Sequence, residues 1–322
     1  MLQLAEEIIK GRRLQKTDDL SVLTEGDLQT LCEGADRIRR ALCGDGAELC
    51  SIINGRSGRC SENCRFCAQS AHYTADCETY GFPEPDVFTE GCGRMAQQGV
   101  SRYSIVTSGR AVEGEDLERA LAAYRAMREQ YPDMMLCASH GLMRTEDMKR
   151  LKEAGVSRYH TNVETSARYF PQICTTHTYA DKLEQIRRVK EAGLEVCSGG
   201  ILGMGETWQD RLDMALLLAE LGVPSIPLNF LIPIAGTPLA EQPVLTTDEI
   251  VRIVAVFRYL NPTACIRIAA GRIRFADGGA ALFRSGANAA LTGDMLTTVG
   301  NRTVQDKELL TELGFRIGRM EV

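Results

Sequence analysis

The 322-residue chain lacks any run of about 18 apolar residues, the length at which a helix can span a bilayer. It also lacks a basic stripe, because its 37 Lys and Arg are scattered among 43 Asp and Glu. Proteins bind phosphate backbones mainly through clustered Lys and Arg, so we expect no nucleic-acid partner. Charges interrupt every apolar run of the N-terminus MLQLAEEIIKGRR, and no secretory signal is recognised there. These absences predict a soluble, cytoplasmic protein with no membrane partner.

A domain boundary is missing as well. No linker, low-complexity stretch or long charge run divides the chain, and 44% apolar residues suffice to bury one large core. One α/β barrel of ordinary size would use most of this length. Helical patterns around residues 2–11 and 26–42 precede the first strand pattern. We therefore expect an N-terminal helical extension over residues 1–45 and a barrel domain over residues 46–322.

Helical segments that end in glycine and lead into a short apolar run recur along the chain. Glycine adopts the left-handed conformation at a helix end without steric cost, and Val, Ile and Tyr then favour a strand. Such glycines are Gly99, Gly155, Gly193, Gly222 and Gly286. The candidate strands are 49–54, 102–107, 134–138, 158–163, 194–198, 225–230, 264–269 and 287–291. This alternation predicts a parallel α/β sheet, and eight strands favour a closed (β/α)8 TIM-type barrel over an open doubly wound sheet.

Twelve cysteines are a high count for a chain far longer than the small disulfide scaffolds of secreted proteins. In a reducing compartment they are better interpreted as metal ligands or reactive thiols. A free cysteine can also be a small buried hydrophobe. We assign that second role to Cys32 and Cys92, which lie inside helical patterns.

Three cysteines form a compact motif, Cys60-x3-Cys64-x2-Cys67, directly after the first strand pattern. Three thiolates within eight residues can hold three corners of a four-iron cluster, and the next cysteine, Cys77, lies ten residues further on. One iron is then left open for chemistry, whereas structural zinc and electron-carrier sites normally fill four positions. A C-x2-C pair alone would equally fit a zinc site or a redox motif. The full spacing, Phe66 before the last cysteine and the end of a barrel strand together favour an open cluster.

In this context the triplet resembles the radical S-adenosylmethionine superfamily, in which the cofactor chelates the open iron. Resemblance to the biotin synthase family extends over almost the whole chain in six ordered segments. They are SRYHTNVETS (157–166), CTTHTYADK (174–182), CSGGILGMGET (197–207), PLNFLIPIAGTPL (227–239), IRIAAGR (266–272) and GANAALTGDMLTT (286–298). The resemblance implies a 4Fe-4S cluster on Cys60, Cys64 and Cys67 that works with S-adenosyl-L-methionine.

Several of these segments carry groups suited to hold a cofactor and a substrate. Asn162 and Glu164 alternate along the fourth strand and share a face, where donors and acceptors suit ribose hydroxyls and a ureido ring. The glycines of SGGILGMGE let the backbone pass close to a nucleotide, although a plain turn before a helix would have the same pattern. The resemblance implies cofactor contacts from Phe66, Asn162, Glu164, Lys182, Gly200 and Ile201, and substrate contacts from Asn162 and Asn229. Lys182, at a helix start, could also be an ordinary solvated charge.

The resemblance further implies an auxiliary iron–sulfur cluster inside the barrel, which donates the inserted sulfur and in its best-known form has three Cys and one Arg as ligands. Cys137, Cys197 and Arg267 match three of these positions. Ser104 stands where the cysteine of the second strand is expected, and serine is a poor iron ligand. We therefore expect either a 2Fe-2S cluster or a rearranged, sulfide-bearing four-iron cluster.

Other cysteines near the predicted barrel could replace the missing ligand. Cys43 and Cys50 lie just before and on the first strand, Cys174 follows the fourth strand, and Cys265 shares a strand face with Arg267. For each of these four thiols, packing in the core is the alternative interpretation.

The implied activity is the insertion of sulfur into dethiobiotin to form biotin, begun by a 5′-deoxyadenosyl radical. Acid, base and nucleophile side chains cannot break unactivated C–H bonds, so a cofactor must perform that step. The resemblance also implies a flavodoxin- or ferredoxin-type electron donor and a homodimer. Two alternatives stay open: another radical S-adenosylmethionine barrel enzyme without sulfur insertion, and an iron–sulfur electron carrier.

Overall fold

Helices form the first part of the protein, which we describe from a computed structural model over residues 1–293 and 302–319. They are α1 (Leu2–Ile9), α2 (Ser21–Glu25) and α3 (Leu28–Cys43). The side chain of Asp27 accepts a hydrogen bond from Thr30 N at 2.8 Å and so starts α3. Gly26 has an extended backbone, which separates α2 from α3 where the sequence predicted one helix from residue 26. The extension boundary at residue 45 stays a prediction.

Parallel strands form a closed barrel. They are β1 (Gly46–Arg56), β2 (Arg102–Thr107), β3 (Met135–Ser139), β4 (Val156–His160), β5 (Glu195–Cys197), β6 (Gly200–Leu202), β7 (Ser225–Phe230), β8 (Cys265–Ile268) and β9 (Ala289–Leu291). Cys50 of β1 pairs with Leu291 of β9, so the last barrel strand returns to the first. The TIM-type barrel is confirmed, and the open-sheet alternative is wrong. A short strand, β10 (Arg316–Ile317), pairs in parallel with the start of β1.

The fifth position of the barrel is shared by two short strands, β5 and β6, where the sequence predicted one strand over 194–198. Gly199 separates them, and a Cβ atom there would lie only 1.9 Å from the carbonyl oxygen of Pro227. Glycine therefore lets the chain cross close to β7. The fourth strand ends at His160 rather than at residue 163, but Thr161 N still donates to Cys197 O at 2.9 Å. Extended backbone thus continues into the mouth of the barrel.

Helices cover the outside of the sheet. They are α4 (Pro85–Gln97), α5 (Gly114–Gln130), α6 (Thr145–Glu153), α7 (Tyr179–Glu191), α8 (Trp208–Glu220), α9 (Thr247–Leu260), α10 (Ala280–Phe283) and α11 (Thr303–Glu312), with 3-10 turns at Phe170–Gln172 and Arg272–Arg274. Capping boxes begin α7, α8 and α9. The five helix-ending glycines predicted from the sequence all have positive φ. Residues 294–298 of the segment GANAALTGDMLTT lie outside the described residues.

Helix α3 packs on α9, so the N-terminal helices share one apolar core with the barrel. Ile8 and Leu31 from these helices and Ile253 from α9 are all fully buried in that core. Across the described parts of the chain, no helix is both long and apolar enough to cross a membrane.

Candidate functional site

The cysteine triplet lies in a loop that leaves β1 at the carboxyl end of the barrel. Two backbone hydrogen bonds close this loop, from Cys60 N to Gln69 O at 2.9 Å and from Ala71 N to Cys60 O at 2.8 Å. The N–H of Gly109, which follows β2, donates to the Cys60 sulfur at 3.2 Å. All three thiols are half-buried. The loop therefore presents them where barrel enzymes place their chemistry.

Two of these thiols have a raised pKa, which disfavours the free thiolate. Burial raises the pKa of Cys67 to about 11. A hydrogen bond with Cys174, followed by burial, raises the pKa of Cys64 far above its ordinary value. A metal that binds such thiols deprotonates them outright. The residues present therefore fit a bound iron–sulfur cluster better than a free nucleophile.

Cys174 lies against the triplet and not at the auxiliary site, where we expected that it could contribute. Its sulfur is 3.8 Å from the Cys64 sulfur and 3.3 Å from Nδ1 of His177. The suggestion that Cys174 replaces the missing auxiliary ligand is wrong, because its thiol packs against Cys64 and does not line the cavity that Cys137 and Cys197 share.

Inside the barrel is a cavity of about 220 Å³, and most of the predicted site residues line it. Its upper wall carries the residues that the sequence predicted for cofactor and substrate, namely Phe66, Asn162, Glu164, Ile201 and Asn229. Its lower wall carries Cys50, Cys137, Cys197, Ser104 and Arg267. Apolar side chains between the two regions include Ile52, Val106, Pro227 and Leu291. One continuous chamber thus joins both halves of the predicted site.

The upper wall is held by a strained contact between the segments after β4 and β5. Glu164 has φ of 70°, a left-handed conformation that is rare for residues other than glycine. Its carbonyl accepts from Ile201 N at 2.9 Å, and its N–H donates to Gly199 O at 3.2 Å. A Cβ atom on Gly200 would lie 2.2 Å from that same carbonyl, so this position requires glycine. The strain fixes the Glu164 carboxylate at the mouth.

Polar side chains meet across this mouth. Lys182 Nζ lies 3.9 Å from Glu164 Oε1, and both side chains are largely buried, with 14% and 13% of their surface exposed. Asn162 accepts from Gly199 N at 3.0 Å, and its amide nitrogen lies 3.3 Å from Glu164 Oε2. Asn229 on β7 donates to Gly200 O at 3.2 Å. The Glu164 carboxylate and both amides line the cavity, and the Lys182 ammonium meets Glu164 beside it.

The strand register accounts for the thiols of the lower wall. Ser104 of β2 pairs with Cys137 of β3, so the serine does face the position where a fourth thiol was expected. Cys50 on β1 pairs with Arg102, two residues before Ser104 on the same strand face. Burial raises the pKa of Cys50 to about 12. The structure therefore brings Cys50, Cys137 and Cys197 to one chamber, with Ser104 among them.

Below these thiols is a buried cluster of charges. The Glu48 carboxylate lies 2.9 Å from Arg102 Nε and 3.2 Å from Arg158 Nη1, and it also contacts the guanidinium of Arg267. All four side chains are at most 3% exposed. Burial alone would raise the pKa of Glu48, but the three guanidinium groups lower it to about 2. Three cations facing one anion leave a buried positive excess, and the partly exposed Glu195 reduces it from outside through Arg158 and Arg102.

This charge balance and this donor set fit an anionic iron–sulfur cluster. Soft thiolates are the ligands that such clusters use. Arg102 Nη1 lies 3.7 Å from the Cys137 sulfur and Arg267 Nη2 lies 3.6 Å from the Cys265 sulfur, so the cations reach the thiols directly. Among the described residues, no three of the lower-wall sulfurs come within 4.8 Å of one another. A single zinc ion, with Zn–S near 2.3 Å, would require about 4.6 Å or less.

Cys43 is not part of this chamber. It ends α3 outside the barrel, where its sulfur lies 3.2 Å from Nη1 of the buried Arg258. It therefore does not reach the lower wall, and the structure gives no support to its role as an auxiliary ligand. Cys32 and Cys92 are helical, as predicted, and Cys92 is fully buried.

Sequence reasoning missed Glu48, Arg102 and Arg158. Each is a charged residue in an otherwise apolar strand, and Glu48 and Arg102 stand two positions before Cys50 and Ser104. The period of a strand places residues i and i+2 on one face, so this spacing could have indicated charges beside the metal ligands. Arg158 carries the same signal two positions before His160, which also lines the cavity and whose pKa burial lowers to about 4.

Comparisons with known proteins agree with this geometry. Residues 56–218 match the Radical SAM superfamily model, and residues 227–316 match the Biotin and Thiamin Synthesis associated domain. Biotin synthase of Clostridium beijerinckii is 56% identical over 98% of this chain and 100% of its own length. Biotin synthase of Alkaliphilus metalliredigens is 55% identical over 98% of this chain and 99% of its own length.

Two solved structures share the fold at low identity. Methylornithine synthase (PylB) superposes with a TM-score of 0.84 at 19% identity, over 98% of this chain and 97% of that one. The FeFe-hydrogenase maturase HydG of Carboxydothermus hydrogenoformans superposes with a TM-score of 0.81 at 16% identity, over 98% of this chain and 78% of that one. At these low identities, the two structures support only the barrel fold of this chain. The full-length identities to curated relatives go further, and by them the chain belongs to the biotin synthase family of the radical SAM superfamily.

Proposed function

We propose that this chain inserts sulfur into dethiobiotin to form biotin. The observation that carries the proposal is the chamber, which Phe66 of the triplet loop lines at its mouth and which has a thiol-lined, positively charged floor beneath. When bound, the 4Fe-4S cluster and S-adenosyl-L-methionine supply the 5′-deoxyadenosyl radical, and the auxiliary iron–sulfur cluster supplies sulfur. An electron carrier would have no need for a closed chamber between two such sites.

We assign the 4Fe-4S cluster to Cys60, Cys64 and Cys67, and the cofactor to the mouth above the chamber. The Glu164 carboxylate and the Lys182 ammonium there can bind the amino and carboxylate groups of an amino acid or the hydroxyls of a ribose. Ile201 and Phe66 line the cavity with apolar groups, and the backbone of Gly200 contacts the lining residue Asn229. These assignments stay predictions.

Asn162, which follows β4, and Asn229 of β7 both lie on the upper wall of the chamber and can hold the ureido ring of dethiobiotin. The apolar side chains between them suit the methyl and methylene carbons that react. The same apolar wall excludes water, which protects a reactive radical from side reactions. Orientation and seclusion are thus the work of the protein, while the hard chemistry belongs to the cofactors.

We infer that Cys50, Cys137 and Cys197 hold the auxiliary cluster beside Arg267, with Cys265 as a further thiol of the same floor. Cys50 replaces the missing cysteine of β2, because it lies on the neighbouring strand and on the same chamber wall as Ser104. We propose a four-iron cluster that bears an extra sulfide. Anomalous diffraction at the iron edge from anaerobic crystals would show four iron atoms at this position. Two iron atoms ligated by Ser104 would overturn the proposal.

An anaerobic assay with dithionite, S-adenosyl-L-methionine and dethiobiotin tests the activity. We expect substrate-dependent release of 5′-deoxyadenosine together with biotin. Cys64→Ala should abolish both products, whereas Cys197→Ala should leave 5′-deoxyadenosine release partly intact and eliminate biotin. Cys77→Ala is the matched control, since this half-buried thiol lies outside both sites. Release of 5′-deoxyadenosine without any sulfur-containing product would instead support a radical enzyme that does not insert sulfur.

We infer that the electron donor docks on a groove of about 800 Å³ on the outer side of the triplet loop. Its lining includes the exposed cations Arg59 and Arg110, and also Gly109, whose N–H contacts the Cys60 sulfur. Flavodoxin- and ferredoxin-type donors are acidic, so this charge suits them. Arg59→Glu with Arg110→Glu should weaken reduction by flavodoxin and leave reduction by dithionite unchanged. Equal rates with flavodoxin would contradict this surface.

We further propose a homodimer in a reducing cytoplasm. All twelve cysteines lie within the described ranges, and each of them is free. Free thiols in this number suit a reducing compartment. Sedimentation equilibrium of the anaerobic protein tests the dimer, and a monomer mass at micromolar concentration would exclude it.

A further inference from the structure

His160 is a polar residue of the chamber that has no role in the function proposed above. It is the last residue of β4, and it lines the chamber. Because a strand places residues i and i+2 on one face, His160 stands between Arg158 of the floor and Asn162 of the upper wall. The strand register also pairs it with Cys197 of β5. The imidazole therefore lies at the level where the two halves of the chamber meet.

This level of the chamber is otherwise lined by apolar side chains, which include Ile52, Val106, Pro227 and Leu291. A polar group in apolar surroundings is costly unless it is hydrogen-bonded. The backbone of Cys197 approaches one side of the imidazole. The polar side chains next to it bond elsewhere, since Cys197 Sγ donates to Ser225 Oγ at 3.4 Å and the Asn162 oxygen accepts from Gly199 N at 3.0 Å. An imidazole has two nitrogens, so within the described residues one of them is left to bond a molecule in the chamber.

The ureido ring of dethiobiotin offers the matching groups. It has two N–H donors and a carbonyl acceptor, and an imidazole can bond either kind of group. The ureido nitrogens are attached to the ring carbons that carry the reacting methyl and methylene groups. A residue that binds the ureido ring from below therefore also lies beside the carbons that react. Cys197, the strand partner of His160, belongs to the floor that supplies sulfur.

We propose that His160 is a substrate-binding residue that hydrogen-bonds the ureido ring of dethiobiotin and holds the reacting carbons above the floor. This inference rests on the proposed function and adds a third polar contact to those of Asn162 and Asn229. His160 binds the substrate only, and the clusters keep their own ligands. Loss of the hydrogen bond weakens dethiobiotin binding and leaves iron and cofactor in place.

Equilibrium dialysis with the anaerobically reconstituted holoenzyme tests this contact without turnover, because dethiobiotin and S-adenosyl-L-methionine are supplied and no reductant is added. His160→Phe keeps a planar ring without any hydrogen-bonding atom. Its dissociation constant for dethiobiotin should rise about 5- to 150-fold, since a buried polar group left unpaired costs about 1–3 kcal/mol. His160→Asn and His160→Gln place an amide near one or the other nitrogen, and at least one of them should recover most of the affinity. Tyr159→Phe is the matched control, because Tyr159 lies on the opposite strand face and its hydroxyl donates to Gly141 O at 2.8 Å.

Iron content and affinity for S-adenosyl-L-methionine should be the same in every variant, and circular dichroism checks that each is folded. Equal dethiobiotin affinity in wild type and His160→Phe would overturn the contact. So would loss of iron from folded His160→Phe, which would make the ring a cluster ligand. Asn and Gln variants that both bind as weakly as His160→Phe would also contradict a hydrogen bond. A wild-type holoenzyme that does not bind dethiobiotin would refute the proposed function together with this contact, whereas an unaffected His160→Phe refutes the contact alone.

Discussion

Replacing Glu48 by glutamine tests the buried charge balance beneath the chamber. Glu48 is 1% exposed and faces three guanidinium groups, which hold its carboxyl pKa at about 2 against an ordinary value of 4.5. At about 1.36 kcal/mol for each pKa unit, this difference corresponds to about 3 kcal/mol of native-state stability. Because the pKa is lowered on folding, the stabilisation is complete above pH 4.5 and is lost as the pH falls toward 2. Near neutral pH the wild-type chain therefore has the full stabilisation from the ionised Glu48 carboxylate.

Glutamine keeps the shape of the side chain but leaves three buried cations without their central anion. Breaking a buried ion pair on one side costs about 3–5 kcal/mol, so we expect the free energy of unfolding of the cluster-free chain to fall by that amount. Glu195→Gln is the matched control. Its carboxylate contacts Arg158 at 2.9 Å but is 45% exposed, so its loss should cost at most about 1 kcal/mol.

Urea unfolding under anaerobic, reducing conditions, followed by circular dichroism, measures both variants. The loss of unfolding free energy in Glu48→Gln should be smaller when the auxiliary cluster is loaded, because an anionic cluster supplies part of the missing negative charge. Equal, small losses for Glu48→Gln and Glu195→Gln would refute the idea that this floor is a net cationic site held together by Glu48.

Three further predictions follow from the same geometry. Gly200→Ala places a Cβ atom 2.2 Å from the Glu164 carbonyl. Thermal unfolding should therefore show that the free energy of unfolding falls by about 1–3 kcal/mol, and the KM for S-adenosyl-L-methionine should rise. Unchanged values would contradict the close approach. Burial lowers the pKa of His140 from 6.5 to about 3, so the folded protein resists its protonation, and His140 alone should contribute about 2 kcal/mol to the fall in the free energy of unfolding between pH 7 and pH 5. His140→Asn should reduce that fall, as urea midpoints at the two pH values would show. Lys182→Met should raise the KM for the cofactor about 10- to 150-fold without lowering iron content, since a charged contact is worth about 1.5–3 kcal/mol.

The barrel could be predicted because its signal is local and repeated. Each helix-ending glycine and each apolar strand run predicts the same unit, a helix followed by a strand, and the eight strand runs together favour a closed sheet. The division of the fifth strand could not be predicted, because it depends on how closely Gly199 approaches Pro227, which is a long-range contact. The same holds for Glu164, whose left-handed backbone is imposed by its pairing with Gly200.

The candidate site likewise has residues that the sequence predicts and residues that only the structure could assign. The triplet and the resemblance-based positions Cys137, Cys197 and Arg267 come from short motifs, so the sequence contains them directly. Which spare cysteine joins which cluster is decided by the path of the chain in space. Cys50 lies in the chamber, whereas Cys174 lies above it beside the triplet.

The contact between Glu48 and Arg267 also limits when the floor of the chamber can form during synthesis of the chain. The two residues are 219 positions apart in sequence, and Arg267 lies on β8, directly before the strand β9 that closes the barrel on β1. At roughly 5–20 residues per second, the ribosome needs about 10–45 s to make the intervening chain. During that time Cys50 of β1, Cys137 of β3 and Cys197 of β5 are made, but the chamber that would shelter them does not yet exist. A cluster held in the closed chamber can therefore form only after β9 has been made, and until then the nascent chain depends on its surroundings to keep these thiols reduced.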